Sequence, residues 1–183
     1  DDGNLSREDI YIDKDSKLTT EYTFNHLGKP SEKKVYLESG DIFGNVFGSK
    51  DVNVLLTTYT YDKNGNLETQ TTPDMVTTTY AYDRLDRQLS TSRPGVDEED
   101  NETTITYSTT YNWEGKPLTK TDANGNKTRY EYNKMGYLIK VIDAKNGVTA
   151  YEYDKAGRLT VEVSPKNYDS GKNLSEMNRI EYV

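Results

Sequence analysis

The sequence predicts an all-β protein made of tandem antiparallel β-hairpin repeats, which join into an extended, curved, single-layer sheet. Three observations predict this fold class: a short phrase recurs at a fixed period, the residues between its copies are mainly Thr, Tyr, Val, Ile and Leu, and a turn sequence arrives about every ten residues. β-Branched and aromatic residues in short runs bounded by Gly, Asn and Asp are typical of strands. The repeating unit is therefore a β-hairpin.

The recurring phrase reads Tyr-x-Tyr-Asp, with glycine three positions after the Asp and leucine two positions later, and its best copies begin at Tyr59 and Tyr151. Asn replaces Asp in some copies, and Asp86 stands at the glycine position that follows Asp83. The anchoring residues, separated by 21, 21, 29, 21 and 21 positions, are Asp41, Asp62, Asp83, Asn112, Asn133 and Asp154. A fixed period of this length indicates a repeat protein.

Each member of the phrase is predicted to have a structural role, with the tyrosines and leucines in strands and the Asp, Asn and Gly residues in turns. Asp and Asn side chains accept hydrogen bonds from backbone N–H groups two residues on, and glycine supplies the positive φ of hairpin loops. The predicted repeat-motif residues are Tyr59, Tyr61, Asp62, Gly65, Leu67, Tyr80, Tyr82, Asp83, Tyr111, Asn112, Gly115, Tyr130, Tyr132, Asn133, Gly136, Leu138, Tyr151, Tyr153, Asp154, Gly157 and Leu159.

A second series of turns is expected halfway between the anchors, at Asp51, Pro73, Asp122 and Asp143. Degenerate copies of the phrase lie upstream, ending at Asp13 and at Asn25 with Gly28, and the copy at Asp41 is also weak. Pro30 and Pro117 stand at the first position of the returning strand, where a missing N–H is tolerated.

Three segments are predicted along the chain: degenerate repeats in 1–58, regular repeats in 59–163, and a loop with the start of a truncated repeat in 164–183. A loop at about 88–110 is expected inside the regular part, because the gap there exceeds the period by 29 − 21 = 8 residues. Such insertions either contact a partner or are tolerated surface excursions. Because Ile180 to Val183 resembles a phrase cut short, we expect the chain to be a piece of a longer protein.

The expected faces of two strands differ. Alternation in the strand that begins at Leu159 places Leu159, Val161 and Val163 on one buried face. The strand 138–142 has apolar residues on both sides, so it is either covered on both faces or departs from simple alternation.

The composition argues against a dense core, because only 32% of the residues are hydrophobic, 16 of the 183 are tyrosines and the mean hydropathy is −0.95. A net charge of −8 without a basic run argues against nucleic-acid binding and against an anionic membrane surface. No segment approaches the roughly 18 to 20 apolar residues of a membrane span. The absence of cysteine excludes disulfides and thiolate chemistry.

No catalytic, cofactor-binding or metal-binding residue is predicted. His26 is the only histidine, and no nucleophile motif accompanies it. The turns that begin at Asp62 and Asp122 place oxygen-bearing side chains at alternate positions but lack the glycine and glutamate of an EF-hand. The acidic run 97–100 is expected to be a solvated loop. The tyrosines either pack in the strands or form platforms for sugar rings.

The phrase at Tyr151 to Leu159, Tyr-Glu-Tyr-Asp-Lys-Ala-Gly-Arg-Leu, resembles the YD repeat of RHS proteins, a family that includes bacterial polymorphic toxins, components of insecticidal toxin complexes and the teneurins. The resemblance implies hairpins that join edge to edge in a sheet that spirals into a hollow shell. In the toxin members this shell encloses a C-terminal toxic domain, which an Asp-Pro-bearing core region releases by autoproteolysis. The chain contains no Asp-Pro pair, so no protease role is implied.

The function expected from the sequence is that of a non-enzymatic shell segment in a larger bacterial protein that is secreted or displayed at the cell surface. Its expected partners are the neighbouring repeats of the same polypeptide, with edge-to-edge association of copies as a further expectation, and neither nucleic acid nor membrane is expected. No cofactor is expected. The alternative is a carbohydrate-binding or adhesion module, motivated by the density of tyrosines.

Overall fold

The computed structural model describes residues 6–12, 16–39 and 54–182. The chain divides into two compact units, which consist of Asp1–Asp86 with Ser92–Thr104 and of Arg87–Thr91 with Ile105–Val183. The described residues form antiparallel strands and contain no α-helix, which confirms the predicted all-β hairpin fold. The turns expected at Asp13, Asp41 and Asp51 lie outside the described residues.

Six strands belong wholly to the first unit, and those that are consecutive in the sequence are paired antiparallel, from β1 with β2 to β5 with β6. They are β1 (Ser6–Tyr11), β2 (Ser16–Phe24), β3 (Pro30–Ser39), β4 (Leu55–Tyr61), β5 (Leu67–Thr71) and β6 (Thr77–Tyr82). The second unit holds most of β8 and the strands that follow it, again paired in sequence order. The strands from β7 onward are β7 (Gln88–Val96), β8 (Glu102–Tyr111), β9 (Pro117–Thr121), β10 (Lys127–Tyr132), β11 (Leu138–Ile142), β12 (Val148–Tyr153), β13 (Leu159–Val163) and β14 (Ile180–Glu181).

The loop predicted at about 88–110 is wrong, because this segment consists of β7, β8 and a short turn that begins at Asp97. β7 and β8 contain 9 and 10 residues, whereas β9 and β10 contain 5 and 6. Each strand is therefore four residues longer, which accounts for the eight extra residues. An even number of added residues in each strand preserves the alternation of its side chains between the two faces.

A β-bulge follows the start of the returning strand in five phrase hairpins. In the pair β10 and β11, Tyr132 lies opposite Leu138 but Glu131 lies opposite Lys140, so Ile139 is the extra residue. The same shift occurs after Pro30, Leu67, Pro117 and Leu159. The bulge moves the residues after Ile139 to the other face, and Val141 and Ile142, which lie opposite Tyr130 and Arg129, still give β11 apolar residues on both faces.

The bulge also corrects the predicted face of Leu159. Leu159 lies opposite Tyr153, whereas Val161 lies opposite Glu152, the neighbouring residue on β12. Directly opposed residues share a face and neighbouring strand residues do not. Leu159 is therefore on the tyrosine face, and Val161 and Val163 are on the other face.

The only hydrophobic cluster of buried residues in the described part of the chain lies on that other face. Ala150, Val163 and Met177 are exposed for 1%, 0% and 6%, and Val161, Tyr168 and Leu174 pack against them. Met177, Tyr168 and Leu174 belong to the segment 164–179, which contains a 3₁₀ turn at Leu174–Glu176. This segment therefore covers β12 and β13 on one side.

Candidate functional site

Ten hairpin turns in the described residues share one geometry, in which the N–H of the fourth residue donates to the carbonyl of the first. In the turn at Asp62, Gly65 N–H donates to Asp62 over 2.9 Å, and Asp62 N–H donates to Asn66 over 2.9 Å. Asp62 Oδ1 accepts the N–H groups of Asn64 and Asn66 at 2.9 and 2.8 Å. The anchors of the ten turns are Asn25, Asp62, Thr72, Asp83, Asp97, Asn112, Asp122, Asn133, Asp143 and Asp154.

The turn predicted at Pro73 begins one residue earlier, at Thr72, whose N–H donates to Val76 over 3.0 Å. Pro73 follows the anchor, a position at which its fixed φ suits the turn. The remaining half-period anchors, Asp122 and Asp143, lie where the sequence predicts them, and Asp97 adds a turn at the tip of the lengthened hairpin.

Hydrogen bonds within the turns lower the pKa of several anchors. The backbone N–H of Arg158 and then its guanidinium lower the pKa of Asp154, and the backbone N–H of Asn101 lowers that of Asp97. The side-chain amide of Asn126 lowers the pKa of Asp122. At Asp62 partial dehydration acts in the opposite direction, but the hydrogen bonds still leave the pKa below its ordinary value. These hydrogen bonds favour the charged form of the four carboxylates.

The predicted tyrosines and leucines occupy fixed strand positions. Each phrase leucine, namely Leu67, Leu138 and Leu159, is the first residue of a returning strand. The tyrosine pairs end β4, β6, β10 and β12, and Tyr111 ends β8; these tyrosines are Tyr59, Tyr61, Tyr80, Tyr82, Tyr111, Tyr130, Tyr132, Tyr151 and Tyr153. All nine are half-buried.

In three phrases the second tyrosine joins its strand, through its hydroxyl, to the phrase hairpin that precedes it among the described residues. Tyr61 donates to the carbonyl of Pro30 over 2.8 Å. Tyr111 and Tyr132 donate to the carbonyls of Gln88 and Pro117, each over 3.0 Å. Burial, and then the neighbouring tyrosine, raise the pKa of Tyr61 and of Tyr132, so both hydroxyls stay neutral donors.

We call the last residue of a phrase turn the cap residue, and in four phrases it lies against the ring of the second tyrosine of the next described phrase. Lys29 Nζ lies 5.4 Å from the ring centroid of Tyr61, and Lys116 Nζ lies 5.6 Å from that of Tyr132. Such cation–π contacts contribute about 0.5–1 kcal/mol at exposed sites.

Two further cap residues behave in the same way. The guanidinium carbon of Arg87 lies 4.9 Å from the ring centroid of Tyr111. Tyr137 stacks on Tyr153 with the ring centroids 5.0 Å apart. Sequence reasoning missed the cap residues, although their constant place, immediately before the first residue of the returning strand, is a signal that could have identified them.

The oxygen-bearing side chains that were considered as metal ligands belong to hairpin turns. In the described residues no group of three or more His, Asp or Glu side chains is arranged to hold a metal ion. Asp122 Oδ1 accepts N–H groups of Asn124 and Asn126, and Asn126 Nδ2 donates to Asp122 Oδ2 over 2.9 Å. These atoms are engaged within the turn. Among the described residues, no helix has the length and apolar character needed to cross a membrane.

His26 and the acidic run also lie at turn positions. His26 follows the anchor Asn25, whose Oδ1 accepts N–H groups of Leu27 and Lys29. Asp97 Oδ1 accepts the N–H groups of Glu99 and Asn101, each over 2.9 Å. The run 97–100 thus forms the tip of the lengthened hairpin.

The fold and the repeated turn contacts define a β-hairpin repeat protein. The family model described as teneurin YD-shell matches residues 3–170, and the chain belongs to this family. This confirms the resemblance to YD-repeat proteins. No curated protein matches the chain.

Solved structures with the same fold include the crystal structure of TcdB2-TccC3-Cdc42, with a TM-score of 0.59, 22% identity and coverage of 83% of this chain and 8% of that one. The Photorhabdus luminescens Tc holotoxin pore gives a TM-score of 0.59 and 23% identity, with coverage of 83% and 8%. TcdB2-TccC3-TEV gives 0.56 and 17%, with coverage of 88% and 10%. The chain therefore spans about a tenth of these structures or less, and the likeness concerns the fold.

Proposed function

We propose that this chain is a non-enzymatic wall segment of a YD-repeat shell in a larger bacterial protein, secreted or displayed at the cell surface, and that the shell encloses or presents a C-terminal toxin or effector domain. The observation that carries the proposal is the use of the phrase residues themselves. The anchors close turns, and the second tyrosine of one phrase binds the hairpin of the preceding phrase, as Tyr132 binds Pro117. Residues with these contacts specify shape and neighbours.

The small core supports the same role. In the described residues only Ala150, Val163 and Met177 form a buried hydrophobic cluster. A repeat protein gains stability from contacts between adjacent repeats, so it requires less buried apolar area per repeat than a compact domain does. A wall one sheet thick is compatible with this composition.

Electron microscopy of the complete parent protein tests the proposal. We expect density for this segment within the wall of a hollow shell, with the C-terminal domain inside it or held at its opening. A parent in which this segment forms a separate domain with no enclosing sheet would contradict the proposal.

The neighbouring repeats of the parent are the proposed partners, and edge-to-edge association of isolated copies is proposed as a consequence of unpaired sheet edges. Analytical ultracentrifugation over a wide concentration range tests the second point. An increase in sedimentation coefficient with concentration supports self-association, and a constant monomer value contradicts it.

A carbohydrate-binding or adhesion module remains the second candidate, because Trp113 is exposed for 87% of its surface on a turn. Exposed aromatic rings are suited to stacking on sugars. Glycan-array binding of the chain and of a Trp113→Ala variant distinguishes the two functions. Saturable binding that the variant loses supports the adhesion module, and the absence of binding by both supports the wall segment.

A further inference from the structure

In four phrase turns the glycine lies beside the cap residue of the phrase turn that precedes it among the described residues. A Cβ on Gly65 would lie 2.9 Å from Lys29 Nζ, and a Cβ on Gly115 would lie 4.0 Å from Arg87 Nη1. A Cβ on Gly136 would overlap Lys116 Nζ, and one on Gly157 would overlap the Tyr137 hydroxyl. The cap side chain thus crosses the tyrosine ring and ends where the next turn has no side chain.

Positive φ alone does not account for glycine at these positions. The half-period turns have the same geometry, yet Met75, Asp100 and Asn146 occupy their positive-φ positions with φ of 64°, 61° and 64°. Gly125, the glycine of another half-period turn, has a φ of 78° and no atom within 4 Å of the place of a Cβ. Gly65, Gly136 and Gly157 therefore meet a second requirement, which is space for the cap residue. Gly115 is only at ordinary contact distance from its cap residue, and Gly28 has no atom within 4 Å of the place of a Cβ.

One phrase turn has a different pair. Its positive-φ residue is Asp86, with a φ of 59°, and the cap residue before it is Asn66. Asn66 Nδ2 donates to Asp86 Oδ1 over 2.7 Å, and Asn64 Nδ2 donates to the same oxygen over 2.9 Å. In this pair the short cap residue Asn66 is combined with the carboxylate of Asp86, whereas the long cap residues are combined with glycine.

We propose that the cap residue and the residue at the glycine position of the next phrase turn form a matched pair that determines which hairpins can be neighbours. One class combines a long Lys, Arg or Tyr cap with Gly, and the other combines an Asn cap with Asp. Replacing the glycine by Asp beside a long cap residue would displace that side chain from the tyrosine ring. Replacing the long cap residue by Asn beside a glycine would leave the ring uncovered. Discrimination of this kind uses both attraction and steric exclusion. The pairing concerns hairpin stacking and is independent of what the shell encloses.

Transplanting the Asn–Asp pair to the contact between Lys116 and Gly136 tests the proposal in the whole chain. All variants carry Glu114→Asn, because Glu114 Oε2 lies 3.4 Å from the place of a Cβ on Gly136 and would repel an aspartate there. In this background Lys116→Asn and Gly136→Asp are introduced singly and together, and urea unfolding is followed by circular dichroism. Hydrogen exchange of the amides in β9 and β10 gives a second, local measurement.

We expect each single change to destabilise the protein and the double change to recover stability. The expected coupling is about threefold or more in the unfolding equilibrium constant, as for a partly exposed cation–π contact. Gly125→Asp is the matched control, since Gly125 also has a positive φ but faces open space. Gly125→Asp should destabilise the protein less than Gly136→Asp does. If Gly136→Asp does not fold but Gly125→Asp and the double variant do, the proposal is supported. Equal costs at the two glycines, or a double variant no more stable than Gly136→Asp, would overturn it.

Discussion

Tyr132 donates a hydrogen bond to the carbonyl oxygen of Pro117 over 3.0 Å, and so joins the end of β10 to the first residue of β9. Tyr61 and Tyr111 make the corresponding bond to Pro30 and Gln88. The carbonyl that accepts the bond belongs to the residue next to the cap residue. Ring and hydroxyl of one tyrosine therefore bind two consecutive residues of the preceding phrase hairpin.

Tyr132→Phe should destabilise the protein by about 1 kcal/mol, because it removes one hydrogen bond and keeps the ring under Lys116. The free energy of unfolding from urea titration measures the loss. Tyr107→Phe is the control, since Tyr107 is 52% exposed and its hydroxyl has no hydrogen-bond partner in the described residues. Equal effects of the two substitutions would show that the bond to Pro117 contributes nothing.

Acid should destabilise the turns through the anchors whose pKa is lowered. Their contribution is present above the unfolded pKa of about 3.9 and is lost as the pH falls through the lower folded pKa. Replacing four anchors by Asn keeps one accepting oxygen and removes the titration, so the variant should be less stable than the parent near pH 7 and should lose less stability as the pH falls. The four anchors are Asp62, Asp97, Asp122 and Asp154.

The control for the acid experiment changes the net charge by the same amount outside the anchors. It replaces by Gln the exposed residues Glu68, Glu98, Glu99 and Glu102. Urea unfolding between pH 3 and pH 7 compares the three proteins. If the control variant reduces the loss of stability in acid as much as the anchor variant does, the effect is due to overall charge and not to the anchors.

Met177 should resist oxidation, whereas Met75 and Met135 should react readily with peroxide. Met177 is 6% exposed, and the other two are 83% and 76% exposed. Oxidation of methionine requires access to the sulfur. Peptide mass spectrometry after timed exposure measures the three rates. A Met177 rate equal to that of Met135 would show that the segment 164–179 does not cover the sheet.

Met177→Ala should lower the free energy of unfolding by about 2 kcal/mol. This is at the low end of the range for replacing a buried methionine by alanine, because the cluster around Met177 is small. The loss should be local, with faster amide exchange in β12 and β13. Met135→Ala, at an exposed turn position, is the control and should leave both the stability and the exchange unchanged.

Removing one complete repeat should leave a folded protein. Deleting residues 113–133 joins Asn112 to Lys134 and keeps a phrase turn with Gly136 at its glycine position. The variant should unfold cooperatively, with an m-value lower by about a tenth, since m scales with the surface exposed on unfolding. Deleting only 113–122 joins a phrase turn to a half-period turn and should abolish cooperative unfolding. Similar behaviour of the two deletions would contradict a 21-residue structural repeat.

The hairpins could be predicted from the sequence because their turns are local. The anchor and the positive-φ residue are three positions apart, as in Asp62 and Gly65, so a short window contains the whole turn. The sequence also indicated the family, because nine consecutive residues from Tyr151 carry the phrase.

The features that the sequence did not predict depend on a second strand. The bulge at Ile139 is defined only by its pairing with β10, and it reverses the face of every later residue in β11. The lengthening of β7 and β8 could not be distinguished from a loop, because Arg93, Pro94 and Gly95 are typical of loops. Met177 packs on Ala150 and Val163, which are distant in sequence.

The phrase turns and the half-period turns should differ in how well they tolerate an insertion. The phrase turns at Gly65, Gly136 and Gly157 hold a neighbour's side chain against their glycine, whereas Gly125 faces open space. A peptide tag or fluorophore inserted beside Gly125 would therefore alter one hairpin tip alone, and the same insertion beside Gly136 would disturb two. The half-period end is thus the place where new sequence can be displayed.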